Sequence, residues 1–121
     1  MSPNQFILSQ NLIDQLNRLN TENVQEIESI LSEFPLDFLS DLEFPAEEQR
    51  IRQVLMESKE FQLILILWGK NSSTPIHGHG GSDGFMKILK GEILESLYIP
   101  FTTTLKKESI VNNSNLTHRL I

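Results

Sequence analysis

The chain has no cysteine among its 121 residues. That excludes a disulfide framework, a thiolate nucleophile and any metal site built on sulfur. A metal held here takes nitrogen and oxygen ligands only. Aromatic residues other than phenylalanine are scarce: there is one tryptophan, Trp68, and one tyrosine, Tyr98. Basic residues are outnumbered, 10 Lys and Arg against 16 Asp and Glu, for a formal charge of −6. Nucleic-acid binding needs a basic stripe, so no nucleic-acid partner is expected. Long hydrophobic runs are missing as well. The longest, Leu63 to Trp68, is far short of the ~20 residues that cross a bilayer, and no membrane partner is expected. The opening residues MSPNQFILSQ lack a basic region followed by an apolar run and a small-residue cleavage site. A cytoplasmic protein without a secretory leader is therefore expected.

What remains is ordinary globular composition, 39% hydrophobic and 21% charged. It suffices for one domain with one modest core. Residues 9–34 read as two helices. Leu12, Leu16 and Leu19, with Ile13 beside them, make one apolar stripe. Asn20-Thr21 offers a break and a cap, with Glu22 in the following first turn. Val24, Ile27, Leu31 and Phe34 form the second stripe, which Pro35 ends. Residues 35–46 read as a connector with a short helical turn at 37–42. From residue 50 the pattern changes to strands. Phe61 to Trp68 is an apolar strand closed by Gly69; Phe85 to Lys90 and Glu92 to Tyr98 flank Gly91. A break is predicted at Pro100, then strands at Ser109 to Asn112 and Leu116 to Ile121. Short strands with closely spaced turns predict an all-β sandwich or barrel. Residues 1–45 are expected to form a helical region and 46–121 the β core, as one structural domain.

The stretch Pro75-Ile76-His77-Gly78-His79 carries the clearest chemistry. Two histidines two apart on an extended segment point to one face, because strand side chains alternate. Neutral imidazoles are common metal ligands. The third and last histidine, His118, lies near the C-terminal end. If it folds back to the first two, one metal takes every histidine of the chain. On its own, a His-x-His pair is more often a surface or structural feature. Its weight rises here because the glycine spacing and the late histidine agree.

At these histidines the sequence resembles the cupin superfamily. Trp68-Gly69, His77-Gly78-His79, Gly84 and Gly91 follow the order of the first cupin motif, and every spacing after His77 fits. Gly84 stands where most cupins place a glutamate ligand. The phrases LILILWG, SSTPIHGHGGSDGFMKILKGEILESLY and VNNSNLTHRL narrow the resemblance to the cysteine dioxygenase family. It covers residues 50–121 well and the helical start loosely.

The resemblance implies an all-β cupin barrel of jelly-roll type, preceded by a small N-terminal α-helical region. It implies a mononuclear non-haem Fe(II) held by His77, His79 and His118. It also implies a dioxygenase that converts L-cysteine and O2 to cysteine sulfinic acid, in cysteine and taurine metabolism. Arg52 best matches the arginine that binds the substrate carboxylate, with Arg50 as the fallback. Trp68 matches an aromatic residue of the pocket. The mammalian enzymes carry a cysteine at the Gly84 position, cross-linked to a tyrosine. With glycine there, the chain resembles the bacterial type. Family members continue for several strands beyond the third histidine, and Tyr98 does not match their active-site tyrosine. The barrel is therefore expected to be incomplete at its C-terminal end. A monomer is expected.

The chemistry is coherent. Three neutral imidazoles leave Fe(II) about one charge more positive than two imidazoles and a carboxylate do. Such a site favours an anionic ligand, and metal coordination deprotonates a thiol. Arg52 pairs with a carboxylate through its planar fork. The competing structural reading has Arg52 salt-bridged to Glu47, Glu48 or Glu57. Asp83 is one residue off the glutamate position and reads as a turn residue. Rival functions are a dioxygenase of another small thiol such as 3-mercaptopropionate, a metal-binding cupin that consumes no oxygen, and an inactive fragment.

Overall fold

The computed structural model describes residues 7–35, 37, 39–75, 84–101, 104–113 and 117–120, and beyond Leu94 the backbone alone. Two compact units form, one of residues 1–27 with 35–74 and one of 28–34 with 75–121.

Helix α1, Gln10–Asn17, begins at Ser9, whose Oγ accepts from the Leu12 N–H at 3.2 Å. The hydroxyl satisfies one of the donors that the first turn leaves open. Its predicted stripe buries Leu12 and Leu16. Helix α2, Val24–Ser32, is capped by Asn23. The Asn23 Oδ1 accepts from the N–H groups of Gln25 and Glu26 at 3.1 and 3.3 Å. The cap expected at Asn20-Thr21 is thus displaced. Asn20 Oδ1 instead accepts from the Glu22 N–H at 3.1 Å and makes an Asx turn ahead of the helix. Glu26, not Glu22, is the acidic residue of the first turn. Pro35 follows the helix end as expected, and a single 3-10 turn at Leu39–Asp41 falls inside the connector where one is predicted.

Strands β1, Arg50–Glu57, and β2, Gln62–Trp68, form an antiparallel hairpin. Its turn is tied by Ser58. The Ser58 Oγ accepts from the N–H groups of Glu60 and Phe61 at 3.1 and 3.2 Å. The Ser58 N–H donates to the Phe61 carbonyl at 2.9 Å. One face of the hairpin presents Leu65 and Leu67, both buried, to the core of this unit. The start of α1 borders β1: Ile7, Leu8 and Ile13 line one groove with Gln53 to Met56. The register shifts between Val54 and Met56, so Leu55 is a bulge.

The second unit is also antiparallel. Strand β3, Gly84–Lys87, pairs with β6, Thr117–Leu120. Between them in sequence lies the hairpin of β4, Glu92–Phe101, and β5, Thr104–Asn113. Phe34 and Ile88 are the buried apolar residues described here. The break predicted at Pro100 does not occur. Strand β4 runs through it to Phe101, and Pro100 pairs with Leu105 one step from the hairpin end. Among the described residues β4 has a partner on one side only, so an imino nitrogen can face away from the ladder. Strand β5 extends well beyond the predicted 109–112.

Gly69 closes β2 in a buried position. Its N–H donates to the Gln49 carbonyl at 2.8 Å, and Gln49 in turn donates to the Ala46 carbonyl at 3.0 Å. A Cβ at Gly69 would run into the Ala46 carbonyl oxygen and lie 2.8 Å from that of Gln49. Both obstacles are backbone, and neither can swing aside. Gly69→Ala is therefore expected to cost about 1–3 kcal/mol of stability, as overpacked sites do. The urea midpoint measures it; a change under about 0.5 kcal/mol contradicts this packing.

Candidate functional site

Two sets of predicted residues lie on different elements. The first is histidine. Strand β6 carries His118 at the backbone position opposite Met86 of β3, and Gly84 opens β3 opposite Leu120. The late histidine thus stands on the strand paired with the one that begins five residues after His79. His77, His79 and Asp83 lie outside the described residues. Among the described residues no three His, Asp or Glu side chains gather where a metal could bind.

The second set is on the β1–β2 hairpin. Alternation puts Arg50, Arg52 and Val54 on the face opposite the buried leucines, with Trp68, Ile66 and Ile64 as their direct cross-strand partners. The two arginines are exposed, and the three β2 residues are half-buried. The Arg50 guanidinium lies over the Trp68 ring, 5.2 Å from its centroid. That is within cation–π range, worth about 0.5–1 kcal/mol at an exposed site. The Arg52 guanidinium has no hydrogen-bond or ion-pair partner among the described residues. Two of the three carboxylates proposed for it, those of Glu47 and Glu57, accept from other side chains. Asn71 Nδ2 donates to Glu47 Oε1 at 2.8 Å, and Gln62 Nε2 donates to Glu57 Oε1 at 2.9 Å. The salt-bridge reading of Arg52 is not realised among the described residues.

The Arg50–Trp68 pair was not legible in the sequence. Arg50 is predicted only as a fallback for Arg52, and Trp68 only as a wall. The signal that finds the pair is register: once Arg52 is set opposite Ile66, Arg50 must fall opposite Trp68.

The sequence matches the model of the family described as cysteine dioxygenase type I over residues 1–120. The chain belongs to the cysteine dioxygenase type I family. It is 28% identical over 88 residues to cysteine dioxygenase type 1 of Danio rerio, an alignment covering 71% of this chain and 43% of that protein. The Homo sapiens protein of the same name is 26% identical over 90 residues, 72% of this chain and 45% of that one. The Rattus norvegicus protein is 27% identical over 79 residues, 63% of this chain and 40% of that one. The chain therefore spans less than half the length of the curated relatives it matches. No solved structure matches. Among the described residues no helix is long and apolar enough to cross a membrane.

Arg52 is exposed and its guanidinium has no partner among the described residues, so it contributes little to folding. Arg52→Ala is expected to change stability by no more than about 0.5 kcal/mol, the usual range for surface substitutions. Trp68→Ala, which removes half-buried aromatic surface, is expected to cost about 1 kcal/mol or more. Thermal unfolding of both variants measures this. A loss at Arg52 as large as that at Trp68 would make Arg52 a structural residue.

Proposed function

We propose that this chain is the metal-binding part of a thiol dioxygenase that converts L-cysteine and O2 to cysteine sulfinic acid. Its strands are read as part of a cupin barrel. The observation that carries the proposal is the β3–β6 pairing, which sets position 118 beside the strand that follows His77 and His79. Membership of the cysteine dioxygenase type I family supplies the chemistry.

The donor set fits divalent iron. The chain has no sulfur ligand from cysteine, and three imidazoles with no carboxylate suit a first-row metal that keeps positions open for substrate. His77, His79 and His118 would hold it. Iron so bound supplies the Lewis acidity that deprotonates a thiol and the redox chemistry that engages O2. In the overall reaction both oxygen atoms end on sulfur, sulfur is oxidised as O2 is reduced, and no further reductant is consumed.

The remaining roles belong to the hairpin. Arg52 pairs with the substrate carboxylate, and the lack of an ion pair to it among the described residues supports that role. A guanidinium already locked to a carboxylate would have to break that bond first. Trp68 provides an apolar wall beside it. The histidines act as neutral ligands and transfer no proton.

Oxygen uptake by the Fe(II)-loaded chain on adding cysteine tests the proposal. Uptake with sulfinate as product is expected, and His77→Ala, His79→Ala or His118→Ala is each expected to abolish it. Arg52→Ala is expected to raise the KM for cysteine about tenfold or more, the factor one charged hydrogen-bond pair supplies. Cysteamine, which lacks the carboxylate, should be little affected. An equal effect on both thiols removes Arg52 from this role. Full uptake by all three histidine variants overturns the metal site.

A further inference from the structure

We propose that Asn71 is a positioning residue for the histidine site, one that fixes the course of the chain just ahead of His77 and His79. The inference rests on the reading of His77, His79 and His118 as metal ligands. It adds a residue that ligates nothing and acts through the segment carrying two of the three.

The end of β2 is tied down residue by residue. The Gly69 N–H donates to the Gln49 carbonyl at 2.8 Å, and the Glu48 N–H donates to the Lys70 carbonyl at 2.8 Å. Asn71 Nδ2 donates to Glu47 Oε1 at 2.8 Å. The Gly69 carbonyl accepts from the Ser72 N–H at 3.1 Å and from the Ser72 Oγ at 2.7 Å. Every residue from Gly69 to Ser72 is therefore held, three of them by the turn at Glu47 to Gln49 that precedes β1.

Backbone strain falls on the same clamp. Glu48 has φ 67° and Asn71 has φ 61°; among the described residues these are the non-glycine positions with positive φ. Asparagine enters this left-handed conformation more readily than most side chains. Strain of this kind persists where the surroundings over-determine it. At Asn71 the Glu47 carboxylate supplies that restraint, in a bond between two side chains.

The tether beyond the clamp is short and stiff. Five residues separate Asn71 from His77, a reach of at most about 22 Å. Pro75 fixes its own φ and biases Thr74 towards an extended backbone. A change of backbone direction at Asn71 is thus carried forward rather than absorbed. A chain turned wrongly at Asn71 must be turned back before it binds metal, so apparent affinity falls with the fraction correctly turned.

The experiment measures Fe(II) affinity of the full chain by anaerobic equilibrium dialysis, alongside thermal unfolding of the metal-free protein. Asn71→Ala loses both the hydrogen bond and the tolerance of positive φ. It is expected to weaken iron binding about fivefold or more while still taking one iron per chain at saturation. Asn71→Asp faces the Glu47 carboxylate with a second one and should weaken binding as well. Combining it with Glu47→Gln restores a donor–acceptor pair with the roles exchanged, and should return the affinity to within about twofold of native. Should Asn71→Ala fail to fold, Asn71→Gly keeps the backbone conformation without strain and tests the side chain alone, again with weaker iron binding expected. A lowered unfolding midpoint with native iron affinity in the Asn71 variants makes the residue merely structural and overturns the proposal. So does a double variant that binds iron no better than Asn71→Asp. Loss of iron in His118→Ala beside native affinity in Asn71→Ala overturns the positioning role alone, whereas a native chain that binds no Fe(II) overturns the histidine reading with it.

Discussion

The pairing of β3 with β6 is the constraint on which the functional account depends. It is a non-local contact: the whole β4–β5 hairpin intervenes in sequence between the two strands. Closing that loop costs entropy that the four paired positions must offset together with the hairpin they enclose. The cost rises only slowly with loop length, so an ordered hairpin of two ten-residue strands such as β4–β5 is an inexpensive insert. What the pairing provides is placement. It sets His118 opposite Met86, on the strand adjoining the one that emerges from the His77–His79 stretch. A one-residue slip would turn every side chain of β6 to the other face. Register here therefore carries chemical meaning as well as stability.

The β1–β2 hairpin works differently. It divides its residues cleanly between two faces. Leu65 and Leu67 are buried on one, and the arginines with Trp68 occupy the other. Such a hairpin is stabilised by its leucine face, while Arg50 and Arg52 on the other stay exposed. The bulge at Leu55 ends this clean alternation, and both arginines lie on the regular side of it. Their spacing is consequently that of an undistorted strand.

The parts of the fold that were legible in the sequence are those set by local pattern. The leucine stripe of α1, the stop at Pro35, the 3-10 turn of the connector and the apolar run of β2 all follow from neighbours a few residues apart. The departures arise where two local signals compete or where partner strands decide. Asn20 and Asn23 are both competent caps, and the helix begins after the second because the first is consumed by an Asx turn. Pro100 signals a break, but an unshared strand edge tolerates it. The polar run Lys106-Lys107-Glu108 hides the length of β5, which its pairing with β4 sustains. The same division holds for the functional residues. The spacing of His77 and His79 is a local signal. The partner strand of His118 and the stacking of Arg50 on Trp68 are matters of register, which no local window contains.

The central claim is that the three histidines of this chain bind one metal ion together. The most direct measurement is anaerobic equilibrium dialysis of the chain against Fe(II), with the bound metal counted per chain. The account predicts one iron per chain, lost when His118 alone is replaced by alanine. Retention of the full complement by that variant would contradict it, because the late histidine would then have no place in the site that the β3–β6 register is argued to build.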